Sequence, residues 1–241
     1  ILRAYFAINQ YTLTASVSGE GTGTINPVGD STVIDRATVE YTIHAEDCSF
    51  IDQVLVDGTP VEVTDSIDMV YTFAVINSDH TIEAVFTPNT YYMSSVAVGN
   101  GTVNEGYANC SAGFTYNVVA EEGYHIDYIV LDGETDTTFS NQESEYNLDL
   151  TNITEAHTLE AYFAINHYTV TVTAGENGTI MMPGTHDVVY GDNMNFTIHA
   201  EGCYHIDSIK VNDGVITFDD NTNLYEYALQ NIDTDYVVNA S

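Results

Sequence analysis

Hydrophobic and polar residues alternate with a period of two along most of this 241-residue chain. Ile82, Ala84 and Phe86 are separated by single residues, and residues 168–174 alternate in the same way. Successive side chains of a strand point to opposite faces, so this spacing predicts half-buried β-strands. Further strands are predicted near residues 39–45, 51–56 and 70–76. We find no window with a helical period.

The chain also repeats itself. The phrase that begins at Phe6 (FAINQYTLTASV) returns at Phe86 and Phe163, at spacings of 80 and 77 residues. Each unit contains the same further phrases in the same order, such as YTIHAEDCSFID from Tyr41. The pattern predicts the closing strand of a preceding repeat plus a joint in residues 1–10, and three repeats: 11–90, 91–167 and 168–241. We therefore expect the chain to be a piece of a longer protein.

An Asp-Gly pair follows the third predicted strand of each repeat and indicates a hairpin turn. Glycine tolerates the positive φ that such a turn requires. The predicted turn glycines are Gly58, Gly133 and Gly214. In the third repeat Asn212 is interpreted as one extra residue before the pair.

Short strands at regular spacing, separated by turn residues, predict an all-β fold. Each repeat is long enough for one small β-sandwich or open barrel. The joints between repeats (TPNT and AINH) contain no Gly/Ser-rich stretch that would act as a flexible hinge. We therefore expect a tandem array of small modules that forms a semi-rigid rod.

The order of these phrases resembles that of a divergent internalin-type B-repeat. It is also similar to tandem repeats of large secreted or surface proteins of the Bacteroidota. The resemblance covers essentially the whole chain, and it implies a stalk or an adhesive array with no catalytic residues. It also implies an extracellular or cell-surface location, with adjacent repeats of the same longer chain, or like chains in a fibre, as partners.

The charge balance is extreme, with 36 acidic residues, 3 basic residues and a formal net charge of -33. Nucleic-acid binding is excluded as a function class, because it requires clustered Lys and Arg. No run of 18 apolar residues is present, so no membrane span is predicted. We expect salt or divalent cations to stabilise the fold by screening the repulsion.

The sequence contains no complete motif for a metal site or a cofactor site, so neither is predicted. Six of the eight histidines occupy three repeat positions on separate modules, and His167 and His186 are singles. His44 is expected on a solvated strand face. A weak calcium candidate is the segment FDDNTN, whose oxygen-bearing residues are Asp219, Asp220 and Asn221. The alternatives for these residues are an ordinary surface turn and diffuse cation binding.

Two further kinds of chemistry are indicated. Short Asp-Ser/Thr segments resemble O-glycosylation signals of the Bacteroidota and suggest four acceptors: Ser31, Ser66, Thr137 and Ser208. Cys48 and Cys203 share a repeat position and Cys110 occupies another, so no repeat contains both. We expect no disulfide within any module and three free thiols, unless chains pair with one another.

The sequence contains no catalytic motif, so it predicts a non-enzymatic extracellular stalk, spacer or fibre shaft. One alternative is an adhesive module that binds a carbohydrate or a host protein through loops around Pro27, Tyr107 and Pro183. Exposed aromatic residues clustered at one end would favour it. Another is a filament subunit that polymerises by adding residues 1–6 as a strand to a like chain.

Overall fold

The computed structural model describes residues 1–139 and 142–241. All regular structure in these residues is β-strand, and none of them forms an α-helix, which confirms the all-β prediction. Within the same residues, no helix is both long and apolar enough to cross a membrane. The chain forms two compact units: Ile1–Ser94 with Glu105–Thr115 and Asp149–His157, and Ser95–Asn104 with Tyr116–Leu148 and Thr158–Ser241.

Each repeat contributes eight strands in the same order. Those of the first repeat are β1 Gln10–Gly19, β2 Gly23–Asn26, β3 Gly29–Ile34, β4 Val39–Ala45, β5 Ser49–Val56, β6 Thr59–Val61, β7 Asp68–Phe73 and β8 His80–Pro88. Those of the second are β9 Thr90–Val98, β10 Gly101–Val103, β11 Gly106–Asn109, β12 Phe114–Ala120, β13 Tyr124–Leu131, β14 Glu134–Thr138, β15 Glu145–Leu150 and β16 Thr158–Ile165. Those of the third are β17 His167–Ala174, β18 Gly178–Ile180, β19 Gly184–Val189, β20 Met194–Ala200, β21 Ile209–Val211, β22 Gly214–Ile216, β23 Leu224–Leu229 and β24 Tyr236–Ala240.

The first repeat is a sandwich of a five-stranded and a three-stranded sheet. The strand orders are β3-β1-β8-β5-β6 and β2-β4-β7. The first and last long strands, β1 and β8, lie side by side and run parallel, whereas their other partners are antiparallel. The last strand of the repeat therefore lies in the middle of its sheet.

The third repeat has the same topology. Its sheets are ordered β19-β17-β24-β21-β22 and β18-β20-β23, and β17 again runs parallel to β24. Within the second repeat, β9 pairs with β11, β10 with β12, and β13 with both β14 and β16, all antiparallel. The modular all-β architecture predicted from the repeats is thus confirmed.

Alternating side chains from both sheets form the core of the first repeat. Leu13 of β1 and Ile82 of β8 are each 1% exposed, and Ile43 of β4 packs in the same cluster. Its neighbour His44 faces solvent, as the alternation predicts, with 54% of its side chain exposed. The largest buried ring in each three-stranded sheet comes from one repeat position, at Tyr41, Tyr116 and Phe196.

The hairpin turns differ between repeats. Gly58 and Gly133 have φ of +74° and +83°, and each follows an Asp that also has a positive φ. In the third hairpin Val211 pairs with Gly214, so Asn212 and Asp213 form the turn and Asn212 has a φ of +53°. Gly214 instead begins β22, so Asn212 is the counterpart of Asp57 and Asp132 rather than an extra residue.

Residues 1–9 form no strand in the structure. Ile1, Leu2 and Phe6 are almost fully exposed. At the end of this segment Asn9 O accepts the Asp35 N–H at 2.9 Å, directly before β1. That they close a preceding repeat stays a prediction.

Replacing a turn glycine by alanine tests the difference between the hairpins. Gly58→Ala and Gly133→Ala should each lower the free energy of unfolding by about 1–2 kcal/mol, because an L side chain is strained at these φ values. No atom lies within 4 Å of a Cβ at either position, so the cost is conformational. Chemical denaturation measures it.

Gly214→Ala is the matched control. Its φ is not in the left-handed region, and the only close neighbour of a Cβ there is Val211 O at 3.2 Å, so we expect a smaller loss than for the other two variants. Equal losses for all three variants would contradict this account of the turns.

Candidate functional site

The joints between repeats share one backbone hydrogen-bond pattern. At the first joint the Asn89 N–H donates to Cys48 O (2.8 Å), and the Cys110 N–H donates to Asn89 O (2.7 Å). At the second joint the Asn166 N–H donates to Gly123 O and the Tyr190 N–H donates to Asn166 O, both at 2.9 Å. A single asparagine therefore bridges a loop of one repeat to the edge of the next.

The side chains at these joints differ although the backbone pattern is the same. A disulfide joins Cys48 to Cys110 at the first joint, with their Cα atoms 5.3 Å apart. At the second joint Gly123 replaces the first cysteine, and the ring of Tyr190 lies where a Cβ of Gly123 would be. The Tyr190 hydroxyl also donates to Glu122 Oε1 at 3.2 Å.

The disulfide corrects the prediction of three free thiols. The bond joins the first repeat to the second, so no module contains an internal disulfide, as expected. The sequence comparison weighed cysteine pairs only within one repeat, whereas the fold places the end of one repeat against the start of the next. Cys203 is exposed and free.

A polar side chain in the β5–β6 hairpin fixes the start of the closing strand. Asp57 Oδ1 accepts the Thr81 N–H at 2.8 Å, and the Asp57 N–H donates to Thr81 O at 3.0 Å. The same exchange joins Asp132 to Thr158 (2.8 and 3.0 Å). Asn212 and Val237 repeat it in the third repeat, at 2.8 Å for both bonds.

Asp57 also contacts a histidine. His80 Nδ1 lies 2.7 Å from Asp57 Oδ2, and His80 Nε2 lies 3.2 Å from Ser78 Oγ. The Thr81 N–H and then the His80 contact lower the pKa of Asp57 below its ordinary value. This geometry favours the carboxylate form.

The Ser78, His80 and Asp57 side chains follow the order of a nucleophilic triad. Acyl transfer also requires N–H donors that stabilise an oxyanion. The nearby N–H groups of Thr12 and Thr81 already donate to carboxylates, at 2.7 and 2.8 Å. The contacts of Asp57 with His80 and Thr81 therefore hold the start of the closing strand against the β5–β6 hairpin.

The remaining predicted site residues are dispersed. In residues 1–139 and 142–241, no three His, Cys, Asp or Glu side chains converge as metal ligands would. The calcium candidates Asp219, Asp220 and Asn221 lie in the loop between β22 and β23, where the Thr222 hydroxyl donates to Asp219 O at 2.6 Å. This bond belongs to a tight turn, and calcium binding stays a prediction.

The candidate glycosylation acceptors also lie apart. Ser66 is exposed, whereas Ser31, Thr137 and Ser208 are half-buried. The Thr137 hydroxyl donates to Asp136 at 2.9 Å, and Ser208 Oγ lies 2.8 Å from Ser241 Oγ. Ser66 is thus the most accessible of the four to a modifying enzyme.

A pair of exposed tyrosines stands near one of the predicted recognition loops. Tyr92 of β9 and Tyr107 of β11 are directly opposite each other, with ring centroids 5.0 Å apart. Tyr107 is 74% exposed and Tyr92 is 39% exposed. A hydrogen bond to Glu105 raises the pKa of Tyr92 above its ordinary value. Sequence reasoning named Tyr107 but missed Tyr92, because cross-strand register decides this contact.

Comparison with known proteins agrees with the sequence resemblance. Residues 168–240 match the family model of the divergent InlB B-repeat domain, which confirms a B-repeat-type domain in the third repeat. No curated protein matches the chain. The Bacillus anthracis TIE protein aligns with 96% of this chain at 9% identity and a TM-score of 0.44. This chain covers 51% of the TIE chain, about half its length. The I9–I11 tandem of titin aligns over 97% of both chains at 6% identity and a TM-score of 0.17.

Thiol counting tests the joint directly. Alkylation without reductant, followed by intact-mass measurement, should show one blocked thiol at Cys203, and reduction before alkylation should show three. Cys110→Ser should free Cys48 and lower the free energy of unfolding by about 2–4 kcal/mol, since the bond constrains the unfolded chain. Cys203→Ser is the control. It should remove the one blocked thiol but leave the Cys48–Cys110 bond and the free energy of unfolding unchanged. Three blocked thiols in the oxidised native protein would contradict the bond.

Lowering the pH should reduce the free energy of unfolding of the first repeat, because Asp57 becomes protonated. Its pKa is lower in the folded state than in the unfolded state, where Asp titrates near about 3.9, so its contribution to stability is present above that pH. The contribution is lost as pH falls through the lowered pKa. Denaturation at pH 5, 4 and 3 should show a smaller acid loss for Asp57→Asn than for the parent chain.

Asn212 makes this variant informative, because an amide already accepts the same backbone N–H in the third repeat. Asp47→Asn, at an exposed position, serves as the control for a general change in charge. An unchanged pH profile for Asp57→Asn would refute the role of this carboxylate.

Proposed function

We propose that this chain is a non-enzymatic extracellular segment that acts as the stalk, spacer or fibre shaft of a larger bacterial surface or secreted protein. The observation that carries the proposal is the recurrence of the asparagine bridge at two successive joints. A spacer requires that each repeat be fixed to the next, and the same backbone bonds do this at both joints. The disulfide at the first joint adds a covalent connection.

The chemistry of the surface supports an extracellular location. Disulfides form and persist in oxidising compartments, and they are rare in the reducing cytosol. The net charge of -33 keeps such chains apart at high local density. The B-repeat match of the third repeat is consistent with this role.

Single-molecule force spectroscopy tests the spacer function. Pulling the chain by its termini should give separate unfolding steps for the first and the third repeat, because each of these two repeats has its own buried core. In the reduced chain each of these two steps should release roughly 250 Å, from about 75 residues at roughly 3.5 Å each. The disulfide closes a segment of 62 residues, so reduction should add about 200 Å to the total extension.

The outcome of this experiment is decisive for the proposal. Separate steps that resist force, with the extra length appearing only after reduction, support a load-bearing spacer. A single step for the whole chain, or extension without measurable resistance, would rule that function out. Cys203→Ser provides the control, because Cys203 is free.

The exposed Tyr92–Tyr107 pair favours one second candidate, the adhesive module. Two adjacent aromatic rings offer faces on which a sugar can stack, and Glu105 offers an acceptor for its hydroxyl groups. The chain has no Trp, the residue with the largest such face. Screening the parent chain and Tyr107→Ala against immobilised glycans separates the adhesive function from the spacer function. Tyr5→Ala, at another exposed tyrosine, is the control. Binding that Tyr107→Ala alone removes would establish adhesion.

A further inference from the structure

Two tyrosine rings are stacked on one face of the second repeat. Tyr128 of β13 and Tyr162 of β16 are directly opposite each other in an antiparallel strand pair. Their ring centroids are 4.3 Å apart, and the ring planes differ by only 12°. Both residues are half-buried. The two strands therefore hold two phenol rings in contact while part of each side chain stays accessible to solvent.

Strand register places these rings on the outer face of their sheet. The pairing of β13 with β16 shifts between Ile126 and Tyr128, which leaves Asp127 as an extra residue. Ile129 and Ala161, which follow the tyrosines in the register, are fully buried. Because neighbouring residues of a strand point to opposite faces, the tyrosine rings lie away from the core.

The topology does not require two rings at this position. In the first repeat β5 and β8 form the same antiparallel pair, with a register shift between Ile51 and Gln53. Gln53 is there opposite Val85, so an amide and an aliphatic side chain occupy the position of the two tyrosines. The stacked phenols are therefore an addition of the second repeat to a fold that the first repeat forms without them.

A carboxylate is in place to receive the proton of one phenol. The Tyr162 hydroxyl donates to Glu160 Oε2 at 2.7 Å. This bond raises the pKa of Tyr162 above its ordinary value, so the resting form is the phenol. Loss of one electron makes a phenol strongly acidic, and its proton then moves to Glu160 along the existing hydrogen bond. The structure thus assists one-electron oxidation at Tyr162.

We propose that Tyr128 and Tyr162 are a site of oxidative modification, at which a peroxidase-type one-electron oxidant couples the two rings into a dityrosine cross-link. Two radicals on separate chains have to meet by diffusion, whereas these two rings are already in contact. The cross-link would join β13 covalently to the closing strand β16. The proposal goes beyond the spacer function and does not depend on it.

The coupling balances in atoms and electrons. Each phenol loses one electron and its hydroxyl proton, and the proton of Tyr162 leaves through Glu160. The two phenoxyl radicals form a carbon–carbon bond between ring positions adjacent to the oxygens. The hydrogen on each joined carbon then transfers to the oxygen of its ring, which restores both phenols. Hydrogen peroxide accepts the two electrons and two protons and becomes two molecules of water.

Peptide mapping after oxidation tests the proposal. The starting chain carries Tyr107→Phe, which removes one phenol of the Tyr92–Tyr107 pair. After treatment with a peroxidase and hydrogen peroxide, digestion should release one peptide pair joined through Tyr128 and Tyr162, lighter by two hydrogen atoms and with dityrosine fluorescence. The yield should not change on dilution of the protein, because both rings belong to one chain.

Tyr128→Phe is the decisive variant. Phenylalanine keeps an aromatic ring in the stack but has no phenolic hydrogen, so this variant should lose the cross-link and its fluorescence. Tyr5→Phe is the matched control, since Tyr5 is 86% exposed and should leave the yield unchanged. Equal unfolding midpoints of the untreated variants show that the fold is retained.

Glu160→Gln tests the role of the carboxylate. The amide oxygen still accepts the Tyr162 hydroxyl, but it does not take up the proton, so the initial rate of coupling should fall. An unchanged initial rate would contradict the role assigned to Glu160.

Three results would overturn the cross-link itself. The first is the absence of dityrosine in the treated starting chain, which would leave the rings as ordinary cross-strand packing. The second is a cross-link that forms only between chains or maps to other tyrosines. The third is an equal yield from Tyr128→Phe.

Discussion

The parallel contact between the first and last strands of a repeat is the constraint on which the rest of the structure depends. β8 lies between β1 and β5, and β24 lies between β17 and β21. Parallel neighbours require a long crossover connection. Here the crossover is the remainder of the repeat, so the five-stranded sheet is complete only when the final residues are in place. Ile82 and Ala84 on this central strand are consequently among the most buried residues.

This placement couples the completion of one repeat to the formation of the next joint. Residues 86–88 pair with the start of β5, and Asn89 then bridges Cys48 and Cys110. The ring of Phe86 covers Gly23 in the same region. The loop that carries Cys48 is thereby held against the following repeat, which brings its thiol to Cys110. The covalent bond is therefore a consequence of where the closing strand ends.

The joints also show how one recurring backbone geometry accommodates different side chains. Cys48, Gly123 and Cys203 have φ of +71°, +82° and +71°. The carbonyls of Cys48 and Gly123 accept the bridging asparagine N–H. A disulfide fills the contact at one joint, and a tyrosine ring on a glycine fills it at the other. The backbone bonds are common to both joints, whereas the side chains that fill the contact differ.

The sequence by itself determined the all-β fold class, the three repeats and the inward face of most strands. A period of two is visible within a single strand, and a period near 80 residues recurs along the chain, so neither requires knowledge of long-range contacts. It also placed the hairpins at residues 57–58 and 132–133. Only the tertiary structure decided that the first and last strands are parallel neighbours, that Asn212 replaces an aspartate, that Cys48 bonds to Cys110 and that Tyr92 lies beside Tyr107. Each of these depends on contacts between residues distant in sequence, whose register is set by packing and not by any local pattern.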